Sequence, residues 1–161
     1  MWGIVAVNTK VFKEISIERV TDQDYKKITK ARFFFNWKTE RQNCVYKLRI
    51  LESEVILGLI SLTHYPEESR IEINLLAVSK ENRGKEKQYD DIAGNLIGFA
   101  CREAVNHYAE IACVSLIPKT KLKKHYITKY GMEDAGKHIC LEGLALFRII
   151  EKYIDESGEI K

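Results

Sequence analysis

The stretch Leu76-Ala77-Val78-Ser79-Lys80-Glu81-Asn82-Arg83-Gly84-Lys85 constrains this chain more than any other. An apolar run, Ile71 to Leu75, precedes it. Ile92-Ala93-Gly94-Asn95-Leu96-Ile97, which reads as the start of a buried helix, follows it. A strand, an Arg-Gly loop and a helix start, in that order, set free backbone N–H groups beside a basic loop. Unpaired N–H groups and the helix dipole both favour negative charge at such an end. The order therefore predicts a place for a phosphate-bearing ligand.

At 161 residues the chain is expected to be one domain, 1–161, with a substantial buried core. Hydrophobic residues at 45% and charged residues at 30% are ordinary for a globular protein in water. Lys and Arg exceed Asp and Glu by only 3, too little to imply nucleic-acid binding. Cys44, Cys101, Cys113 and Cys140 show no CxxC spacing, and His64, His107, His125 and His138 show no metal-ligand spacing, so no metal is expected. The thiols are expected reduced and packed in the core. No apolar stretch approaches a membrane span, and residues 1–12 do not resemble a signal peptide. A cytoplasmic protein, with no membrane partner, is the expectation.

Ile15 to Val20 alternates as a strand does. Thr21-Asp22-Gln23-Asp24 then resembles a capping box, predicting a helix with Tyr25, Ile28, Ala31 and Phe34/Phe35 on one face. The cluster Phe33-Phe34-Phe35-Asn36-Trp37 closes it, either as core or as the wall of an acceptor pocket. Three strands follow: Cys44 to Leu51, the almost wholly apolar Val55 to Leu62, and Ile71 to Val78. Their short connections predict an antiparallel meander. Ile92 to His107 reads as a helix with a broad buried face, and Ile111 to Ile117 as a strand parallel to the one before it. Thr120 is placed to cap a helix, Lys121 to Tyr130, that stops at Gly131. Lys137 to Leu141 reads as a short strand and Leu144 to Ile154 as a terminal helix. Residues 1–13 form either an extra edge strand or an arm.

An antiparallel meander leading into one βαβ unit, with the Arg-Gly loop at the junction, resembles the GNAT superfamily of acyl-CoA-dependent N-acetyltransferases. The resemblance runs from about Ile15 to Gly131 and is best at Leu76-Ala77-Val78 with Asn82-Arg83-Gly84-Lys85. It implies an α/β fold of α+β type, a mixed sheet whose strands splay at the cofactor site. Backbone groups of Leu76, Ala77 and Val78 would pair with pantetheine amides. N–H groups of Arg83, Gly84 and Lys85, and of Ile92, Ala93, Gly94 and Asn95, would cradle the pyrophosphate, with small Ala93 and Gly94 admitting the ligand to the backbone. Thr120 takes the place where similar enzymes carry Asn, near the pantetheine. The chain departs from the pattern at Glu86-Lys87-Gln88-Tyr89-Asp90, an insertion, and at Asp91, which replaces a glycine.

Acetyl transfer from acetyl-CoA to a primary amine needs a proton acceptor for the amine, an N–H for the oxyanion and a proton donor for the departing thiolate. The resemblance implies Glu72 as general base, with Asn74 on the same face, and the Val78 N–H at the oxyanion. For the acid, His125-Tyr126-Ile127-Thr128-Lys129-Tyr130-Gly131-Met132 is one residue longer than the family's Tyr-x-Lys-x-Gly-Phe segment. Tyr126 is the candidate donor, with Tyr130 open as the alternative. No cysteine has an activating partner in view, so direct attack without a covalent enzyme intermediate is expected. The acceptor would be a small molecule or a peptide amine, and a homodimer is compatible with the sequence. Two other readings remain: a catalytically inactive CoA-binding or protein-interaction module, and a GNAT toxin acting on aminoacyl-tRNA. The row Lys119, Lys121, Lys123, Lys124 and Lys129 suits a solvated face, an attraction for the coenzyme 3′-phosphate, or an RNA contact.

Overall fold

The computed structural model describes residues 2–155. The polar tail from Asp155 is expected to fray; Asp155 itself ends a π-helical turn, and Met1 and residues 156–161 lie outside the described residues. In chain order the strands and helices are β1 (Gly3–Ala6), β2 (Phe12–Arg19), α1 (Lys30–Phe33), β3 (Cys44–Ile50), β4 (Ile56–Tyr65), β5 (Arg70–Val78), β6 (Tyr89–Asp90), α2 (Ile92–Tyr108), β7 (Cys113–Leu116), α3 (Thr120–Tyr130), β8 (Glu133–Ala135), β9 (His138–Glu142) and α4 (Gly143–Ile150). The strands form one mixed sheet in the order β6-β1-β2-β3-β4-β5-β7-β9-β8. Every pairing is antiparallel except β5 with β7, the pair that α2 connects.

The two faces of the sheet carry two cores. α2 and α4 cover one face, where Leu48, Ile60, Ile71, Leu96, Ile97, Ala100, Val114 and Leu141 are sealed from water. Phe33, Trp37, Val45, Ile56 and Leu59 form the smaller core on the other face. A fully buried aliphatic side chain stabilises by about 1.5–3 kcal/mol, so the α2 side dominates the fold. Residues 2–13 take the edge-strand option. β1 pairs with β2, and the inserted residues close the edge as β6, with Val5 opposite Asp90.

The first helix does not form as the periodicity predicts. The capping box itself is present: Asp24 Oδ2 accepts the Thr21 N–H at 2.8 Å, and Thr21 Oγ1 accepts the Asp24 N–H at 3.3 Å. Yet Asp24 also accepts the Lys47 ammonium at 2.7 Å, which ties the turn to β3. Only a 3-10 turn follows, at Asp24–Lys26. Thr29 then caps afresh, accepting the Arg32 N–H at 3.2 Å, and Phe34 ends α1 with φ 71°. Later, Thr120 is the first residue of α3, and the cap position belongs to Lys119. β8 was not anticipated; it pairs with β9, the strand expected near Lys137. The terminal helix, α4, stands where expected and continues as a π-helical turn at Glu151–Asp155.

A bulge in β5 decides which side chains face which core. Leu62 lies opposite Ile73, but Ser61 lies opposite Leu75, so Asn74 is an extra residue. One extra residue inverts the alternation beyond it. Ile71 and Ile73 face α2 below the bulge, whereas Leu76 and Val78 do so above it, leaving Leu75 and Ala77 to the smaller core.

Candidate functional site

β5 and β7 are paired only from Arg70 opposite Cys113 to Ile73 opposite Leu116. β7 then ends, while β5 runs on through Val78. The strands part, and a fork opens between the upper half of β5 and the segment leading to α3. Its walls include Leu75, Leu76, Leu116, Pro118 and Tyr126, with Phe35 and Arg83 at the rim.

The ladder determines which amides face the fork. The Ser79 N–H donates to the Leu57 carbonyl at 2.9 Å, and the register continues with Ala77 opposite Leu59 and Leu75 opposite Ser61. In an antiparallel ladder alternate residues bond to the same neighbour. Leu75, Ala77 and Ser79 therefore turn their backbone groups to β4. Leu76 and Val78 turn theirs into the fork, where no strand pairs with them. Of the three residues implied for pantetheine, two offer free amides, and Ala77 sits between them.

The fork's outer end meets α2, which begins at Ile92 as expected. Asp91 occupies the cap position with φ 69°, and its side chain makes no capping bond. That left-handed geometry favours glycine, which accounts for the glycine of the family pattern at this place. The N–H groups of Ile92, Ala93 and Gly94 precede the first intrahelical acceptor and are left for a ligand. The Asn95 N–H is not, since it donates to the Asp91 carbonyl at 3.0 Å. The Asn95 side chain is also turned inward, donating to the Gly3 carbonyl at 3.2 Å and so fastening β1 to α2. Lys87 and Lys129 flank this helix end. The Asp90 carboxylate, which would repel an anion, pairs with Lys87 at 2.6 Å.

Asn82, a residue the sequence reading gave no role, pins the Arg-Gly loop. Its amide donates to Ser79 Oγ at 2.9 Å and its carbonyl accepts the Tyr89 N–H at 3.1 Å. Gly84 turns the loop with φ 76°. The Arg83 guanidinium lies 4.0 Å from the centre of the Phe34 ring. The aromatic cluster is thus divided: Phe33 and Trp37 are core, Phe35 lines the fork, and Phe34 stacks against Arg83 at its rim.

Gly94 has a different reason from the one expected. A Cβ there would meet the Tyr153 ring at 2.2 Å, so the missing side chain admits Tyr153 from the C-terminal turn. Its smallness serves helix packing. Thr120 is exposed, and Pro118, Lys119 and Leu122, its neighbours in sequence, line the fork instead.

The two tyrosines separate. Tyr126 lines the fork, half-buried, with its phenol pushed up by burial and drawn partly back by Arg83. Tyr130 is 4% exposed and packs against Tyr153 at 6.2 Å between ring centres, its phenol raised well above the usual range by burial. Of the two, Tyr126 is the one in the fork's wall.

Glu72 sits one step below the parting of the strands, opposite Ser115. Its Oε1 accepts from Arg70 Nη1 at 3.0 Å and lies 2.9 Å from His138 Nε2. Arg70 is held in turn by Ser115 Oγ at 2.7 Å and Glu68 at 3.1 Å, and stacks 4.3 Å from the Tyr65 ring centre. Asn74, on the same face, donates to Thr63 Oγ1 at 2.7 Å. Pairing of Glu72 with Arg70 was the alternative to a catalytic role that the sequence offered, and that pair is present; His138 was given no role from the sequence. Only the sheet order, which puts β9 beside β7, brings residue 138 to residue 72. Burial disfavours the thiolate at three of the cysteines, pushing the Cys113 thiol up to about 12, the Cys101 thiol higher still and the Cys140 thiol upward. Among the described residues, no group of three or more His, Cys, Asp or Glu is placed to hold a metal ion. No described helix is long and apolar enough to cross a membrane.

No protein-family model matches the chain, and no curated protein matches it in sequence. Solved structures do match. Ard1 from Thermoplasma volcanium superposes with a TM-score of 0.61 at 12% identity, over 81% of this chain and 98% of that one. A spermidine N-acetyltransferase from Vibrio cholerae, a dodecamer, gives 0.60 at 11% identity, over 89% and 98%. A chain of the NatC complex bound to Gag peptide and CoA gives 0.59 at 15% identity, over 80% and 98%. The chain has the fold of the GNAT acetyltransferases.

Proposed function

We propose that residues 1–161 act as one acyl-CoA-dependent N-acyltransferase domain, moving an acetyl group from acetyl-CoA to a primary amine. The observation that carries this reading is the fork: two parallel strands part after Ile73 and Leu116, leaving the Leu76 and Val78 amides unpaired beside an uncapped helix end. Unpaired backbone groups at a strand edge bind an extended, amide-bearing chain, and the free N–H groups of Ile92 to Gly94 suit its pyrophosphate. Acetyl-CoA supplies an activated acyl group and a thiolate leaving group. The chain's own residues do the rest. The Val78 and Leu76 N–H groups are donors for developing negative charge. Tyr126, on the fork wall, holds a phenolic proton that a thiolate can take. The amine's proton leaves toward the polar cluster around Glu72. Direct attack on the thioester, without a covalent enzyme intermediate, is the mechanism proposed; burial disfavours the thiolate at Cys101, Cys113 and Cys140.

Among the matching folds, one is a spermidine N-acetyltransferase and another belongs to a complex bound to a peptide and CoA. Spermidine and peptide α-amines are therefore the first acceptors to try. Calorimetric titration with acetyl-CoA, followed by thiol release against such a panel, tests the proposal. Saturable binding with release for at least one amine supports it. No binding overturns it. Binding without release for any amine moves the assignment to a CoA-holding module, a reading favoured by the carboxylates of Asp90 and Asp91 beside the anion site.

A further inference from the structure

The Glu72 carboxylate is poorly placed to receive a substrate proton. Its Oε1 already accepts from Arg70 at 3.0 Å and from His138 at 2.9 Å, and its side chain is only 17% exposed. Arg70 cannot move aside freely, because Ser115, Glu68 and the Tyr65 ring hold it. Charge-assisted bonds of this kind are among the stronger ones in proteins.

His138 is differently placed. β9 pairs with β7 up to Ile139 opposite Leu116, the same level at which β5 and β7 part. His138 is one step further on, past the level at which the two strands part. Ile139 faces the α2 core, so His138 faces the other way, the face of Glu72 and Ser115. Its imidazole reaches across β7 to Glu72 and is 36% exposed. A carboxylate can only accept, so Nε2 carries the hydrogen in that bond. Nδ1 then keeps a lone pair, and among the described residues no partner occupies it.

We propose that His138, oriented by Glu72, is the group that takes the proton from the acceptor amine, and that Glu72 is a positioning residue. This rests on the acyl-transfer reading above. The amine arrives as R–NH3+. Nδ1 removes one proton, giving imidazolium and a neutral amine. The amine nitrogen forms a C–N bond to the thioester carbonyl carbon, and the C–S bond breaks. The thiolate takes the Tyr126 proton, and the proton then lost from nitrogen returns to the tyrosine. The imidazolium releases its proton to solvent, so ammonium and thioester become amide, thiol and one proton. Imidazole suits this work because it can take and return a proton within one turnover near neutral pH. The charged or titratable groups facing His138 are Arg70 and Glu72 from β5, Cys113 from β7, Glu133 from β8, and Cys140 and Glu142 on its own strand.

His138→Gln is the discriminating variant. Glutamine can still donate to Glu72, so a purely structural role survives, but it has no basic nitrogen. With spermidine and a short peptide bearing a free α-amine as acceptors, kcat is expected to fall about a hundredfold. The acetyl-CoA KM should be unchanged, and the acidic limb of the pH–rate profile should disappear. Glu72→Gln should fall between wild type and that variant, about tenfold, with the acidic limb displaced but present. Wild-type kcat and pH profile in His138→Gln, or a larger loss in Glu72→Gln, overturns the inference while leaving acyl transfer standing. Nitrogen NMR of the resting protein decides the geometry without any acceptor: the Nε2–H tautomer supports the proposal and the Nδ1–H tautomer overturns it. A wild type that fails to bind acetyl-CoA is a separate result, which removes the acyl-transfer reading itself.

Discussion

The lower and upper halves of β5 are one strand in two situations. From Arg70 to Ile73 it is paired on both edges, and Ile71 is fully buried. From Asn74 to Val78 it is paired on one edge, with Asn74, Leu75, Leu76 and Val78 each part-exposed. The Asn74 bulge separates the halves. The lower half carries stability and the upper half presents unpaired backbone. A binding edge of this kind stays unpaired because it is short and walled by α3 and the aromatic segment, which keep other strands away.

Substitutions on the two sides of that boundary should therefore differ in kind. The largest effect is expected away from the fork altogether, at the buried Lys47–Asp24 pair, whose side chains are 9% and 10% exposed. Lys47→Met strands a buried carboxylate and should cost about 3–5 kcal/mol in denaturant unfolding, with acetyl-CoA affinity unchanged in the folded fraction. Ile71→Ala, in the doubly paired half, should cost about 3 kcal/mol by the same measurement. Tyr126→Phe crosses the boundary: kcat should fall about a hundredfold with little change in melting temperature. Tyr130→Phe should leave kcat near wild type, and a comparable loss there would exchange the two roles. Leu76→Ala, in the open half, should cost under about 1 kcal/mol in stability, since the residue is only part-buried. It should instead weaken acetyl-CoA binding severalfold in calorimetry. Equal losses for Ile71→Ala and Leu76→Ala would erase the proposed division.

Acid should act first on the carboxylates paired with Lys47 and Arg49. Burial pushes the Asp24 carboxyl up, but bonds from Lys47 and Thr21 outweigh it and hold the group below its ordinary 3.8. Glu18 is likewise held below its ordinary 4.5 by Arg49, against some opposition from burial. A depressed carboxyl contributes its full stability above the unfolded value and loses it as pH falls through the folded one. The loss should begin below about pH 4.5 and steepen below 3.8, and in Asp24→Asn the later part should be absent.

Most of the fold was legible because it rests on local pattern. The apolar runs of β4 and β5, the broad face of α2 and the stop at Gly131 each follow from spacing. So did the Arg-Gly loop and the helix start at Ile92. The first helix was misread because Asp24 answers to Lys47 on a strand more than twenty residues away, which no periodicity reports. Gly94 was assigned to the ligand because its neighbour in space, Tyr153, is remote in sequence. His138 was passed over for the same reason.

The sequence alone determined the order of elements, since hydrophobic period, turn residues and caps act over a few positions. It also determined that a free helix N-terminus follows a basic loop. Tertiary structure decided what depends on register and sheet order: that the Asn74 bulge inverts the alternation in β5, that Leu76 and Val78 rather than Ala77 face the fork, and that β9 brings His138 to Glu72. Those relations join residues through neighbouring strands, and strand neighbourhood is set by the packing of the whole sheet.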